Sequence, residues 1–262
     1  MPRDADDPMA SLAYRDLEFL DNDDARPLRI LAEYLEPLGR LRRERVHDTV
    51  VFFGSARSGP DSPLARYYEE ARALAHRLTL WAKTLPGRER FVVCSGGGGG
   101  LMEAANRGAV EAGGRTIGLN IGLPNEQRPN GYVKPELLYE FHYFFMRKLW
   151  FAHLARALVV FPGGFGTFDE LFEMLTLAQT RKLERTIPIL LYGSEYWNEV
   201  VNFEALVRHG VIDRQDLELV SFCDTPDAAF DLLQAKLPVH AEPATPSFAK
   251  SRTTKKSRGH RP

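Results

Sequence analysis

The sequence predicts an α/β protein built on a doubly wound parallel sheet, and three observations predict it. Six short runs are apolar almost throughout, helical stretches fill most of the gaps between them, and three of the runs end in glycine-rich loops. A strand covered on both faces has no solvent side, so it reads as a continuous run of Val, Ile, Leu and Phe instead of an alternation. Strands of that kind alternating with helices give a Rossmann-like architecture with helices above and below the sheet.

Taken in order, residues 1–26 form an aspartate-rich arm, with Asp4, Asp6 and Asp7 near its start and one short helix expected around residues 12–20. From Pro27 to Arg45 the residues Leu28, Leu31, Leu35, Leu38 and Leu41 recur at helical spacing. Pro37 is expected to kink or interrupt that helix, since it has no N–H to give and its ring crowds the preceding turn. The six strands are "TVVFFG" (49–54), "FVVCSG" (91–96), "RTIGLN" (115–120), "ALVVFPG" (157–163), "IPILLYG" (187–193) and "LELVSF" (217–222), and "LLYEFHYF" (137–144) is a candidate seventh. One domain is expected over residues 27–240, with the first helix as an N-terminal extension. The last stretch, 241–262, carries six Lys or Arg against one Glu and few apolar residues, so it is expected to be disordered.

Composition narrows the partners. The chain of 262 residues is 44% hydrophobic and balances 34 basic against 35 acidic residues, a formal charge of −1. That balance gives no electrostatic footprint for nucleic acid or a membrane surface, and neither partner is expected. Cys94 and Cys223 each end an apolar run, the usual place of a small buried thiol, which fits a reducing compartment. No stretch approaches the roughly 18 consecutive apolar residues of a membrane span, and an acidic N-terminus is unlike a signal peptide. A cytoplasmic protein is therefore expected.

The glycine loops carry the chemistry. In a doubly wound sheet, ligands sit beyond the carboxyl ends of the strands, where helix N-termini offer unpaired N–H groups. "FFGSARSG", "CSGGGGGLMEAANRG" and "FPGGFGTFDE" are all strand-to-helix junctions of that type, with Ser55 and Thr167 as added hydroxyl donors. Known nucleotide fingerprints fail: after Gly96 and Gly98 the third glycine of G-x-G-x-x-G would fall on Leu101, and after Gly164 and Gly166 on Asp169. There is no G-K-[ST] either, so the expected anion is a simple phosphate such as that of a mononucleotide. The histidines show no metal-ligand spacing, so no metal is expected.

The stretch "PGGFGTFDE" (162–170) resembles the P-G-G-x-G-T-x-x-E motif of the Lonely-guy family, cytokinin riboside 5′-monophosphate phosphoribohydrolases once labelled lysine decarboxylases. "GGGGGLMEAANRGA", "IGLNIGLPNEQRPN", "FHYFFMRKLWF" and "ELFEMLTLAQTRK" resemble the longer bacterial form in order and spacing, so the likeness runs from about Thr49 to about Trp197. The resemblance implies cleavage of the N-glycosidic bond of a purine nucleoside 5′-monophosphate, as in AMP nucleosidases, by a homodimer or higher homo-oligomer without cofactor. It implies catalytic roles for Glu170 and Arg147. It implies substrate binding by Glu126, Lys148, Thr176 and the loop Gly164, Phe165, Gly166 and Thr167, while the other two glycine loops add Ser55 and Gly98. Gly99 stands where the family usually has proline, which is expected to loosen that loop.

Read from the residues alone, a carboxylate one turn above a phosphate loop suits the positive charge that develops on ribose as the bond to the base breaks. Glu170 fits that place; the bland alternative is a first-turn acid favoured by the helix dipole, which Asp169 and Glu173 satisfy equally well, and only the motif resemblance singles out Glu170. Arg147 and Lys148 are expected to open a largely buried helix, one of the two inward, and the resemblance makes that one Arg147; Phe144, Phe145, Met146 and Trp150 are candidates for a base pocket. Two other readings use the same loops: a non-catalytic nucleotide-binding protein, and a pyridoxal-phosphate decarboxylase, for which Lys148 is the one lysine near the site.

Overall fold

The computed structural model describes residues 12–59, 61–86, 90–122, 128–183 and 185–237. Seven strands form one sheet: β1 (Thr49–Phe53), β2 (Val92–Ser95), β3 (Thr116–Ile121), β4 (Leu138–Phe141), β5 (Ala155–Val160), β6 (Ile189–Tyr192) and β7 (Val220–Cys223). Their order is β4-β3-β2-β1-β5-β6-β7, and every pairing is parallel. The candidate seventh strand is therefore real, pairing with β3 from Gly118 opposite Leu138 to Ile121 opposite Phe141. The chain winds outward from β1 in one direction, then returns to lay β5 on its other side.

Strand alternation splits the apolar residues into two cores. Val51, Phe53, Leu158 and Val160 face α2 (Arg26–Glu44), α5 (Phe144–Leu154) and α6 (Phe165–Gln179). Val50, Phe52, Ala157 and Val159 face α3 (Ala65–Ala82), α4 (Leu101–Glu111) and α9 (Pro226–Lys236). Such two-sided burial is why the strands carry no polar alternation. Each large side chain, such as Phe52 or Trp150 at 1% exposure, contributes about 1.5–3 kcal/mol relative to leaving it in water.

Three local expectations need correction. Pro37 does not interrupt helix α2, which is continuous from Arg26 to Glu44. The proline takes an N–H away from the carbonyl of Glu33, and the indole Nε1 of Trp150 donates to that carbonyl at 3.0 Å instead. The first described segment is a 3-10 turn (Ala13–Arg15) and α1 (Leu17–Asp21), not one helix, because the Asp16 carboxylate caps Phe19 N–H and starts a new turn there. Residues 217–219 belong to a 3-10 helix, Arg214–Leu219, started by a capping box between Asp213 and Asp216, so β7 begins only at Val220. The short helices α7 (Ser194–Val200) and α8 (Phe203–Arg208) lie between β6 and that turn. Residues 1–11 and the basic stretch 241–262 lie outside the described residues.

Candidate functional site

The sheet reverses its winding between β1 and β5, and in doubly wound folds that switch point leaves a crevice at the carboxyl ends of the two strands. A cleft of about 1120 Å³ lies there, between Gly54–Arg57 after β1 and Gly163–Thr167 after β5. The two loops are tied together by Ser55 N–H donating to the carbonyl of Pro162 at 3.1 Å. Met102, Ile121, Phe144, Phe168 and Val200 give the cleft apolar walls, and Arg147, Glu170 and Tyr196 add polar groups.

Helix α6 opens on this cleft. Its first bond within the helix is Phe168 N–H to the carbonyl of Gly164 at 3.1 Å, so the N–H groups of Phe165, Gly166 and Thr167 have no carbonyl one turn back to accept them. A Cβ at Gly164 or Gly166 would meet no atom within 4 Å, so packing within the chain does not demand these glycines. Gly163 differs, because a Cβ there would collide with the buried Thr167 side chain. Ser55 Oγ accepts Arg57 N–H at 3.0 Å, which leaves its hydroxyl proton free to donate.

One turn into α6, the Glu170 carboxylate accepts from Arg147 Nη1 at 2.9 Å, with the two side chains 12% and 10% exposed. Arg147 is fixed from the other side by donating Nε–H to the carbonyl of Leu119 at 2.7 Å, and its guanidinium lies over the Phe151 ring at 5.1 Å. Burial pushes the Glu170 carboxyl up to about 7, against the pull of Arg147. A buried carboxyl poised there can exchange a proton at neutral pH. Cys94 lies beneath the pair, its thiol pushed up by burial, and is inert as a nucleophile.

The structure brings Glu170, Arg147, Ser55, Gly164, Phe165, Gly166 and Thr167 to one cleft. Lys148 lies apart from the cleft wall: its Nζ pairs with Asp169 at 3.1 Å and Glu173 at 2.7 Å. Burial alone would lower the Lys148 pKa, but the hydrogen bonds to Glu173 and Asp169 outweigh it and raise it. Neither Arg147 nor Lys148 opens α5, which starts three residues earlier at Phe144, where the Glu33 carboxylate accepts from the N–H of His142 at 2.7 Å and of Tyr143 at 3.3 Å. Thr176 is on the exposed side of α6, spends its hydroxyl on the carbonyl of Phe172 at 2.7 Å, and borders a separate cavity with Gln179 and Leu206. Glu126 lies outside the described residues.

Gly98 is buried beside the cleft and not on its wall. Asn130 Nδ2 donates to the carbonyls of Gly98 at 2.9 Å and Gly97 at 3.1 Å, and also to Asn106 Oδ1 at 2.8 Å. Ser95 Oγ joins the same buried network, donating to Asn106 Oδ1 at 2.8 Å and accepting Gly97 N–H at 3.0 Å. This clamp opposes the loosening expected of Gly99, where a Cβ would touch only the Ala56 carbonyl at 3.8 Å. Sequence reasoning missed Asn106, Asn130, Arg57 and Tyr196; the first two stand in the quoted stretches "GGGGGLMEAANRGA" and "IGLNIGLPNEQRPN", and Arg57 in the first glycine loop.

Among the described residues, no group of three or more His, Cys, Asp or Glu is arranged to hold a metal ion, and no helix is long and apolar enough to cross a membrane.

Fold and site together define the class: a doubly wound α/β protein with a largely apolar cleft at the switch point of its sheet and a buried Arg–Glu pair on the cleft wall. The family model described as "Possible lysine decarboxylase" matches residues 102–233, half of the chain, and the chain belongs to that family. It is 30% identical over 133 residues to a probable cytokinin riboside 5′-monophosphate phosphoribohydrolase of Oryza sativa subsp. japonica, an alignment covering 50% of this chain and 56% of that relative. It is 26% identical over 198 residues to the cytokinin riboside 5′-monophosphate phosphoribohydrolase LOG4 of Arabidopsis thaliana, covering 74% of this chain and 85% of the relative. The X-ray structure of TM1055, a structural-genomics target, superposes with a TM-score of 0.53 at 20% identity, covering 72% of this chain and 99% of that one, which shows a shared fold.

Proposed function

We propose that the protein hydrolyses the N-glycosidic bond of purine nucleoside 5′-monophosphates, with adenine or an N6-substituted adenine as base, releasing free base and ribose 5-phosphate. The observation that carries this reading is the Arg147–Glu170 pair, buried one turn above a glycine loop in which packing does not require Gly164 or Gly166. The 5′-phosphate sits on the N–H groups of Phe165, Gly166 and Thr167, and a ribose length away the anomeric carbon lies beside Glu170. As the bond to the base lengthens, the ionised carboxylate stabilises the positive charge on the sugar and takes a proton from the attacking water, whose oxygen bonds to the anomeric carbon; that proton passes to the departing base nitrogen, which regenerates the carboxylate. Arg147 keeps the carboxylate oriented and favours its ionised form. Met102, Ile121 and Phe144 supply an apolar wall for the base.

The family description as a possible lysine decarboxylase finds no support in the lysine. A Schiff base needs a free amine, and Lys148 is held protonated between Asp169 and Glu173. The expected homodimer is supported by Phe144, Phe145 and Leu149, which leave α5 with an exposed apolar face.

The direct test is incubation of purified protein with a panel of nucleoside monophosphates, following free base by chromatography, with adenosine beside AMP. Each charge-assisted hydrogen bond to phosphate is worth about 1.5–3 kcal/mol, so adenosine is expected to be poorer by orders of magnitude in kcat/KM. Equal efficiencies would remove the phosphate from the reading, and no base release from any monophosphate would remove the hydrolase.

A further inference from the structure

We propose that Arg57 is the cation that receives the substrate's 5′-phosphate and makes the cleft prefer nucleoside monophosphates to nucleosides. The identity of that phosphate rests on the phosphoribohydrolase reading; the need for a cation at this place comes from the charges around α6. Arg147 is spent on Glu170, and Lys148 on Asp169 and Glu173, so two cations stand against three carboxylates. A phosphate dianion on the N-terminus of α6 therefore finds both of these cations already committed to carboxylates, and the partial charge of a helix end offsets only part of its own charge.

Arg57 lines the same cleft, on the loop facing Gly163–Thr167. Among the described residues no ion pair engages its guanidinium, and its side chain is exposed. The loop beneath it is nevertheless fixed. Arg57 N–H donates to Ser55 Oγ at 3.0 Å, the next residue, Ser58, is buried and donates to the carbonyl of Leu64 at 2.9 Å, and Ser55 N–H holds the Pro162 carbonyl at 3.1 Å. A planar guanidinium on a fixed stem, lining the same cleft as a row of backbone N–H groups, suits two phosphate oxygens at once, which an ammonium matches less well.

The test combines AMP binding by titration calorimetry with adenine release from AMP and adenosine, for the wild type, Arg57→Ala, Arg57→Lys and Lys148→Ala. Arg57→Ala is expected to raise Kd and KM for AMP roughly ten- to hundredfold, to cut the preference for AMP over adenosine by a similar factor, and to leave kcat for AMP much less changed. Arg57→Lys should recover part of the loss, which a merely structural defect would not allow. An unchanged AMP Kd in Arg57→Ala, or a larger rise in Lys148→Ala, overturns the assignment. Wild-type protein that binds AMP without releasing adenine sinks the hydrolase reading while the Kd series still judges Arg57; wild-type protein that does neither overturns both.

Discussion

Two glycine-rich loops that look alike in sequence do opposite work. The loop after β2, Gly96–Gly100, is consumed by the chain itself. A Cβ at Gly96 would fall 2.5 Å from Arg147 Nη2, Gly97 and Gly100 hold φ of +72° and +62°, and Asn130 occupies the carbonyls of Gly97 and Gly98. The loop after β5 leaves Gly164 and Gly166 facing open space. The first loop is a bed for Arg147; the second is a bare surface at a helix N-terminus. Glycine content alone does not separate a turn that packs from a turn that binds, because both need the absence of a side chain, one for a neighbour in the fold and the other for a ligand.

The largest expected effect lies beside the bare loop. Glu170→Gln preserves shape and removes the charge, so turnover on AMP is expected to fall about 10²–10⁴-fold with AMP affinity largely kept. Steady-state kinetics alongside AMP calorimetry checks this. Unchanged turnover would make the Arg147–Glu170 pair a structural ion pair and would turn the second loop into a turn like the first.

A smaller pair of substitutions tests the contrast itself. Gly100→Ala forces a left-handed backbone on alanine and sets its Cβ 2.6 Å from the Ala56 carbonyl carbon. A cost of about 2 kcal/mol or more, and a fall in Tm of roughly 4–8 °C, is expected. Gly166→Ala lies in the first turn of α6 with nothing near it, so its Tm should hold or rise, since alanine favours helix by up to about 1 kcal/mol. Its methyl would nonetheless stand where phosphate oxygens are expected, and AMP binding should weaken roughly tenfold. Thermal melts and AMP titrations of the two variants should therefore give opposite patterns. A stable Gly100→Ala, or a Gly166→Ala that binds AMP normally, breaks the comparison.

Much of this frame was legible in the chain. Seven parallel strands and a cleft after β1 and β5 follow from local patterning, because a doubly buried strand is apolar along its length. The family resemblance, not the local pattern, made Arg147 the inward cation, and the structure sets it on Glu170. What was not legible depends on partners far along the chain. Pro37 is tolerated because Trp150, more than a hundred residues later, satisfies the carbonyl it orphans. The glycine loop after β2 is claimed by Asn130 from beyond β3. Lys148 is withdrawn by carboxylates on a different helix, Asp169 and Glu173, which in sequence are indistinguishable from first-turn acids. Helical periodicity and loop composition carry no information about such pairings.

The smallest expected effect is a pH-dependent one, and it separates a working carboxyl from a structural one. Burial raises Glu170 from 4.5 to about 7, so the folded protein holds this proton more tightly than the unfolded chain does. Its contribution to stability is therefore fully present below about pH 4.5 and is lost as pH climbs through about 7. Gln at this position stays neutral throughout. The Tm of Glu170→Gln minus that of the wild type should thus grow between these two values and level off above neutrality, by on the order of 1 kcal/mol or about 2–4 °C, because water in the open cleft relieves part of the burial. Wild-type kcat/KM should rise through the same range as the carboxylate ionises, and the variant's residual activity should not follow it. A Tm difference that is flat, or that shrinks as pH rises, would mean that Arg147 holds Glu170 ionised as a stabilising pair. The carboxyl would then lack the poised proton that distinguishes the loop after β5 from the packed loop after β2.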